Sequence, residues 1–285
     1  MNLKGIKFGK LHGLGNDYVI IDESQKEIIP ENEKEEVCKF IGDRHFGVGS
    51  DGILFVYPSK IADIGYRMFN PDGSEAEMCG NGIRCFGNFI YTNNIIKKET
   101  IDIETNDGIK TMEIKLEDDK PVLYKVDMGL SRFESSKIPV KSEKNEFINE
   151  TFELNDEKFN LTAINIGNPH AIIIVDDVKL IDITEYGPVI ENHPLFPEKI
   201  NVHFVQIISK NEAKMITWER GAGLTLACGT GATGSAIVGY KLGLLDKDIL
   251  LHVPGGDLNF NIYEKNGAIG AFMEGPAEYV FNGEF

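Results

Sequence analysis

No stretch of this chain is apolar enough to cross a bilayer as a helix. The longest purely aliphatic run is Ile172–Val175, against the roughly 20 apolar residues that a span requires. The N-terminus shows no apolar stretch of the kind a secretory leader carries, so the cytoplasm is the expected compartment. Cysteine is scarce, with four residues at 38, 79, 85 and 228. They form no CxxC pair and no HExxH segment accompanies them, which excludes the common zinc spacings. In a reducing compartment they are expected as free thiols. Positive charge is also in deficit: 29 Lys and Arg against 45 Asp and Glu leave a formal charge of −16. That balance argues against nucleic acid or an anionic membrane as partner, since both are polyanions. It reads as a soluble acidic surface, with Glu31–Glu36 and Ser142–Glu150 as solvated stretches. No segment is of low complexity.

What is present is a repeated signal. Met78-Cys79-Gly80-Asn81-Gly82 recurs as Ala227-Cys228-Gly229-Thr230-Gly231, 149 positions later. Asn70 and Glu219, nine positions before each cysteine, keep the same offset. Gly15-Asn16 before Tyr18-Val19-Ile20-Ile21 is echoed by Gly167-Asn168 before Ala171-Ile172-Ile173-Ile174. Three matched blocks in one order imply an internal duplication, and 285 residues suit about two domains. The boundary is placed after Asp127-Met128-Gly129.

Short alternating or aliphatic runs separated by turn signals such as Pro71-Asp72-Gly73 and Pro254-Gly255-Gly256-Asp257 predict many strands. Helices are expected at 31–43 and after each cysteine, at 81–91 and 230–242. Apolar and small residues spread around both of the latter, which predicts helices buried on most sides. The fold class is therefore α+β: two pseudo-symmetric domains, each a curved, mostly antiparallel or mixed sheet wrapped around a central helix.

A cysteine before Gly-x-Gly at a helix start has a chemical use. The helix N-terminus presents unpaired N–H groups and a partial positive charge. A carboxylate or a phosphate suits that place, and a thiolate there is favoured. Two copies supply two thiols and two sets of donors. One thiolate could remove a proton from a carbon bearing a carboxylate while the opposite thiol delivers one to the other face, inverting the centre. Taken singly the residues read more plainly. Cys38 and Cys85 are small buried residues. Asn70 before Pro71 and Asn168 before Pro169 begin turns. Glu219 and Arg220 form an exposed ion pair. His12 and His45 are structural, and His170 serves equally as a proton handler or a packed polar group. Gly229-Thr230-Gly231-Ala232-Thr233-Gly234 matches a dinucleotide fingerprint, but the first half lacks its third glycine, so a nicotinamide site is rejected.

Six segments together resemble the diaminopimelate epimerase family: His12-Gly13-Leu14-Gly15-Asn16-Asp17, Phe69-Asn70-Pro71-Asp72-Gly73-Ser74, Cys79-Gly80-Asn81-Gly82-Ile83-Arg84-Cys85, Gly167-Asn168-Pro169-His170, Glu219-Arg220-Gly221-Ala222-Gly223 and Ala227-Cys228-Gly229-Thr230-Gly231-Ala232. The resemblance implies interconversion of LL- and meso-diaminopimelate, without pyridoxal phosphate or metal, in lysine and peptidoglycan precursor synthesis. It implies two pseudo-symmetric halves, 1–128 with 275–285 and 129–274, and Cys79 and Cys228 as the acid–base pair. Backbone donors at Gly80, Asn81, Gly229 and Thr230 would hold the carboxylate of the inverting centre. Asn16, Asn70, Asn168, Asn201, Glu219 and Arg220 would bind the rest of the small-molecule substrate, with His170 as an auxiliary. A homodimer is the default assembly. Gly52 stands where some members carry glutamine, and Leu224 where some carry a polar residue. Proline-type racemases also use paired cysteines. A cysteine hydrolase or transferase with His170 as base, or a silent binding protein on the same fold, would answer to parts of the same pattern.

Overall fold

The computed structural model describes residues 3–76, 79–154 and 157–285; Met78, the first residue of the first repeated motif, lies outside them. The chain divides into two compact units, Met1–Asp127 with Glu274–Phe285, and Met128–Met273.

Unit 1 opens with the hairpin β1 (Lys7–Gly13) and β2 (Asn16–Asp22), then α1 (Lys34–Gly42), β3 (Gly52–Tyr57), β4 (Ile64–Phe69), the two-residue β5 (Glu75–Ala76), α2 (Gly80–Thr92), β6 (Thr100–Thr105), β7 (Gly108–Glu117) and β8 (Lys120–Leu130). β1 pairs antiparallel with β2 and also with the chain's last strand, Glu278–Glu284. β2 runs parallel to β3, and β3 antiparallel to β4. β4 pairs antiparallel with β5 and parallel with β6, and β6–β7–β8 continue antiparallel.

Unit 2 comprises β9 (Glu150–Leu154), β10 (Glu157–Asn165), β11 (Pro169–Val175), α3 (Ile183–Glu191), β12 (Asn201–Ser209), β13 (Glu212–Glu219), β14 (Gly223–Thr225), α4 (Gly229–Lys241), β15 (Asp248–Val253), β16 (Gly256–Lys265) and β17 (Ala268–Gly275). Its pairings repeat those of unit 1 in the same order: β10–β11 antiparallel, β11–β12 parallel, β12–β13 and β13–β14 antiparallel, β13–β15 parallel, β15–β16 antiparallel. The duplication read from the motifs is thus a duplication of topology. A mixed sheet with few helices makes the class α+β, as expected.

In both units the sheet is covered on one face by the shorter helix and curves around the longer one. In unit 1, Val19, Ile21, Ile53 and Phe55 pack with Val37 and Ile41 of α1. α2 touches β1, β2, β3, β4 and the last strand, and twelve of its thirteen residues are buried. In unit 2, Ala171, Ile173, Val202 and Phe204 pack with Ile183 and Ile190 of α3. α4 touches β10–β13, β15 and β16, and only its last two residues escape burial. Helices on both faces explain why β2 and β11 read as continuous aliphatic runs rather than alternating ones.

The expected helix at 31–43 is α1 preceded by a 3₁₀ turn at Glu31–Glu33. The other two expected helices are α2 and α4. Helix α3 and the strands β5, β9 and β14 were not expected from the sequence.

Candidate active site

Each repeated cysteine is the N-cap of the enclosed helix of its unit. Cys79 adopts an extended backbone (φ −125°) before α2, and Cys228 does the same (φ −122°) before α4. The carbonyl of Cys79 accepts from Ile83 N (2.9 Å) and that of Cys228 from Ala232 N (2.8 Å), which close the first turns. The first N–H groups of a helix have no partner within it, so each cysteine stands at a helix end that carries such groups, at Gly80 and Asn81 in unit 1 and at Gly229 and Thr230 in unit 2. The second glycine of each motif faces what lies behind the helix. A Cβ on Gly231 would stand 2.1 Å from the His203 ring, and one on Gly82 would stand 3.0 Å from the Tyr66 hydroxyl.

In unit 1, Cys79 Sγ lies 2.9 Å from the hydroxyl of Tyr18, which also bonds Asn16 Oδ1. Asn81 Nδ2 donates to the same oxygen at 3.2 Å, and Asn16 Nδ2 donates to Asp51 Oδ2 at 2.7 Å. Arg44 in turn holds Asp51 and Asp17. Behind the motif, the guanidinium of the fully buried Arg84 donates to Gly80 O (3.0 Å), Asn81 Oδ1 (3.0 Å) and Pro276 O (3.1 Å). Burial pushes the thiols of Cys38, to about 12, and of Cys85 upward, so both stay protonated and inert as expected.

Unit 2 has a different lining. Cys228 Sγ accepts from Gly231 N at 3.4 Å and lies 3.6 Å from Thr230 Oγ1. Beside it runs a buried chain of polar groups: Asn168 Oδ1 to His170 Nε2 (2.7 Å), His170 Nδ1 to His203 Nε2 (2.9 Å), and His203 Nδ1 to Thr217 Oγ1 (2.8 Å). A carbonyl oxygen only accepts, so His170 carries its proton on Nε2. Its Nδ1 therefore accepts from His203 Nε2–H, and the Thr217 hydroxyl donates to His203 Nδ1. Burial lowers the pKa of His203 to about 3, and burial with His203 and Arg220 nearby lowers that of His170 well below its ordinary value. Both rings are neutral near pH 7. The ligand atoms of His170, His203 and Cys228 lie within 4.8 Å of one another, but all four ring nitrogens already have hydrogen-bond partners. The cluster is a hydrogen-bonded relay of fixed direction.

A family model described as diaminopimelate epimerase matches residues 8–134 and 162–280. The chain belongs to the diaminopimelate epimerase family. It is 54% identical to the diaminopimelate epimerase of Methanothermobacter thermautotrophicus, over 98% of both chains. It is 44% identical to that of Acetivibrio thermocellus, again over 98% of both. Two solved structures share the fold at low identity. A hydroxyproline epimerase from Agrobacterium vitis has TM-score 0.77 and 13% identity, over 99% of this chain and 91% of that one. A Bacillus anthracis protein of the PhzF family has TM-score 0.74 and 17% identity, over 99% of each.

The residues that a diaminopimelate epimerase would be expected to use for substrate are distributed as follows. In unit 1, Asn16 and Asn81 join Cys79 through Tyr18, whereas Asn70 ends β4 in a turn, with its Nδ2 donating to Ser74 Oγ at 3.0 Å. In unit 2, Asn201 is buried and spends its amide on the backbone: Nδ2 donates to Pro169 O (2.8 Å) and Oδ1 accepts from Arg220 N (2.9 Å). It clasps the segments that carry Asn168 and Arg220. Glu219 accepts from Thr225 Oγ1 at 2.6 Å, and the exposed Arg220 donates from Nη1 to Glu198 O at 3.1 Å. Asn201 also pairs in register with His170, as Gly52 does with Tyr18 in unit 1. Gly52 thus holds the strand position of Asn201 and leaves it without a side chain. Leu224 lies on β14 and is exposed. Sequence reasoning missed Tyr18, Asp51, Arg84, His203 and Thr217. For Tyr18, His203 and Thr217 the available signal was a polar group on the buried face of a strand, and for Arg84 a charge within a buried helix, each of which requires a partner.

Proposed function

We propose that the chain interconverts LL- and meso-diaminopimelate by moving one α-proton between Cys79 and Cys228. The observation that carries this reading is the matched pair of cysteine N-caps, each on a buried helix that opens Gly-x-Gly, in a chain of this family. One sulfur, as thiolate, removes the α-proton. The other, as thiol, donates its proton to the opposite face, and the reverse reaction exchanges the roles. The first-turn N–H groups at Gly80, Asn81, Gly229 and Thr230 donate to the substrate carboxylate and stabilise the negative charge that grows on it as the proton leaves. Asn16, Asn70, Asn168, Asn201, Glu219 and Arg220 fit a substrate with two amino-acid ends. Arg220 offers a forked donor for the distal carboxylate, and Glu219 an acceptor for an ammonium. The reaction belongs to lysine and peptidoglycan precursor synthesis.

His170 does not suit the role of general base to a lone nucleophile. Its Nδ1 lone pair is occupied by His203, and burial opposes its protonation. This disfavours a hydrolase that uses one cysteine.

The test is solvent-deuterium incorporation. Wild-type protein with LL-diaminopimelate in deuterated water is expected to label the α-carbon and form the meso isomer, and to leave proline unlabelled. Cys79→Ala and Cys228→Ala are each expected to lose interconversion by at least about 100-fold, the scale of a lost acid or base. Full activity in either variant would refute the two-base reading. Labelling of proline in place of diaminopimelate would refute the substrate.

A further inference from the structure

The proposed reaction needs Cys79 to ionise, and the groups around that sulfur within unit 1 govern how readily it does so. Tyr18 is 1% exposed. Its hydroxyl has one proton and two acceptors, Cys79 Sγ at 2.9 Å and Asn16 Oδ1. The orientation of Asn16 is fixed, because its Nδ2 faces the acceptor-only carboxylate of Asp51. When Cys79 is a thiol, the phenol donates to Asn16, and the S–H is within reach of the phenol oxygen and, at 3.9 Å, of Asn16 Oδ1. When Cys79 is a thiolate, the phenol turns its proton to the sulfur. Asn16 Oδ1 is not stranded by that turn, since Asn81 Nδ2 donates to it. Burial, and then the neighbouring Cys79, hold the Tyr18 phenol far above its ordinary pKa. The hydroxyl therefore keeps its proton when Cys79 ionises.

The matching place in unit 2 is held by His170. It too stands two residues after an asparagine and lies on the strand that runs parallel to its neighbour. Its nitrogens are committed to Asn168 and His203. The same topological position thus carries a phenol bonded to the thiol in unit 1 and an imidazole near the thiol, bonded elsewhere, in unit 2.

We propose that the Tyr18 hydroxyl is a hydrogen-bond donor dedicated to the Cys79 thiolate, making Cys79 more readily ionised without acting on Cys228. The proposal deepens the function assigned above, and rests on it only for the consequence in turnover. A hydrogen bond to the charged form of a group favours that form, and one to a thiolate in a partly buried site is of the stronger, charge-assisted kind. Among the described residues, the other titratable groups that act on this sulfur include Tyr66 from β4 and Arg84 and Cys85 from α2, with Asp17 nearby on β2 acting on Cys85. Tyr18 itself also acts on Cys85, Tyr66 and Arg84, but Tyr18→Phe leaves those side chains in place, and the Cys228 midpoint serves as the internal control.

Tyr18→Phe keeps the ring and removes the hydroxyl. The full-length resting protein, without substrate, is alkylated with iodoacetamide across neutral pH, and modification of Cys79 and Cys228 is followed separately by peptide mass spectrometry. The midpoint for Cys79 is expected to rise by about one unit, which slows its alkylation near pH 7 about tenfold, while the Cys228 midpoint stays in place. A Cys79 midpoint equal to that of the wild type, or an equal shift at both cysteines, would overturn the proposal. A second variant carries 3-fluorotyrosine at position 18. Its more acidic phenol is a stronger donor and is expected to move the Cys79 midpoint downward; no movement or an upward one would overturn the proposal even if Tyr18→Phe did not fold. Alkylation needs no turnover. A wild-type protein that fails to label diaminopimelate would remove the function while leaving this result standing on its own.

Discussion

At the residue scale, the two repeated motifs differ in how much room they leave. Gly231 and Gly82 are equivalent, yet the ring behind Gly231 is that of His203, fully buried and held by His170 and Thr217. With 2.1 Å to a Cβ it has no way to yield without breaking the relay. Gly231→Ala is expected to destabilise the protein by about 3 kcal/mol, the upper range for overpacking a core. At Gly82 the nearest atom is the Tyr66 hydroxyl at 3.0 Å, the tip of a side chain. There the better helix propensity of alanine, worth about 1 kcal/mol, offsets most of the strain, and Gly82→Ala should be nearly neutral. Urea denaturation of both variants measures the contrast. The double variant Gly231→Ala with His203→Ala should recover more than about 1 kcal/mol beyond additivity, as residues in contact do. Equal costs at the two glycines, or an additive double variant, would show that His203 is not the obstacle.

At the element scale, Arg84 ties the first turn of α2 to the returning end of the chain. It lies on the helix face turned toward the segment before the last strand, and it bonds Gly80 O and Pro276 O. Asn88, one turn on, donates to Ala277 O at 2.8 Å. Arg84→Met fills the space but takes the side-chain donor away from Gly80 O, Asn81 Oδ1 and Pro276 O. The expected cost is about 3 kcal/mol, together with faster amide exchange in Glu278–Glu284 than in β1. Unchanged exchange in that strand would mean that pairing with β1 alone holds it.

Much of this level was legible in the sequence. The cysteine-led helices follow from small and apolar residues on every side after Cys-Gly. The buried strands follow from their aliphatic runs. Helix α3 was not legible, because Gly187-Pro188 falls inside it and reads as a break. Gly187 is there to let Trp218 pack, since a Cβ would stand 2.5 Å from its ring. Strand β9 starts at Glu150, where an acidic stretch conceals it. At the site, the cysteines and asparagines were visible as motif residues. Tyr18 and His203 were hidden among the apolar residues of their strands, and the relay exists only because the parallel pairing of β11 with β12 brings residues 170 and 203 to the same side as Cys228.

At the scale of the whole molecule, a duplicated topology carries unlike polar interiors, and this difference has a consequence for stability against pH. Unit 2 buries two neutral imidazoles. An unfolded chain protonates them near their ordinary pKa of about 6.5, whereas the folded chain does not protonate His203 until about pH 3. Between those values the unfolded state binds more protons, so folding stability is full above pH 6.5 and is lost as the pH falls. At pH 5 the loss from His203 is about 2 kcal/mol, at about 1.4 kcal/mol per unit, and His170 adds to it with the same sign. His252 acts oppositely: its bonds to Asp257 and Glu212 raise its pKa, so its contribution is present at low pH and fades as the pH rises. It is partly exposed, and solvent screens it. His203→Gln retains an N–H toward His170 and an acceptor for Thr217 but does not titrate, and His252 is common to both proteins. Urea unfolding at pH 7 and pH 5 should therefore show the wild type losing about 2 kcal/mol more than His203→Gln. Parallel losses would mean that the relay accepts a proton in the folded state, and the fixed direction assigned to it would fall with that result.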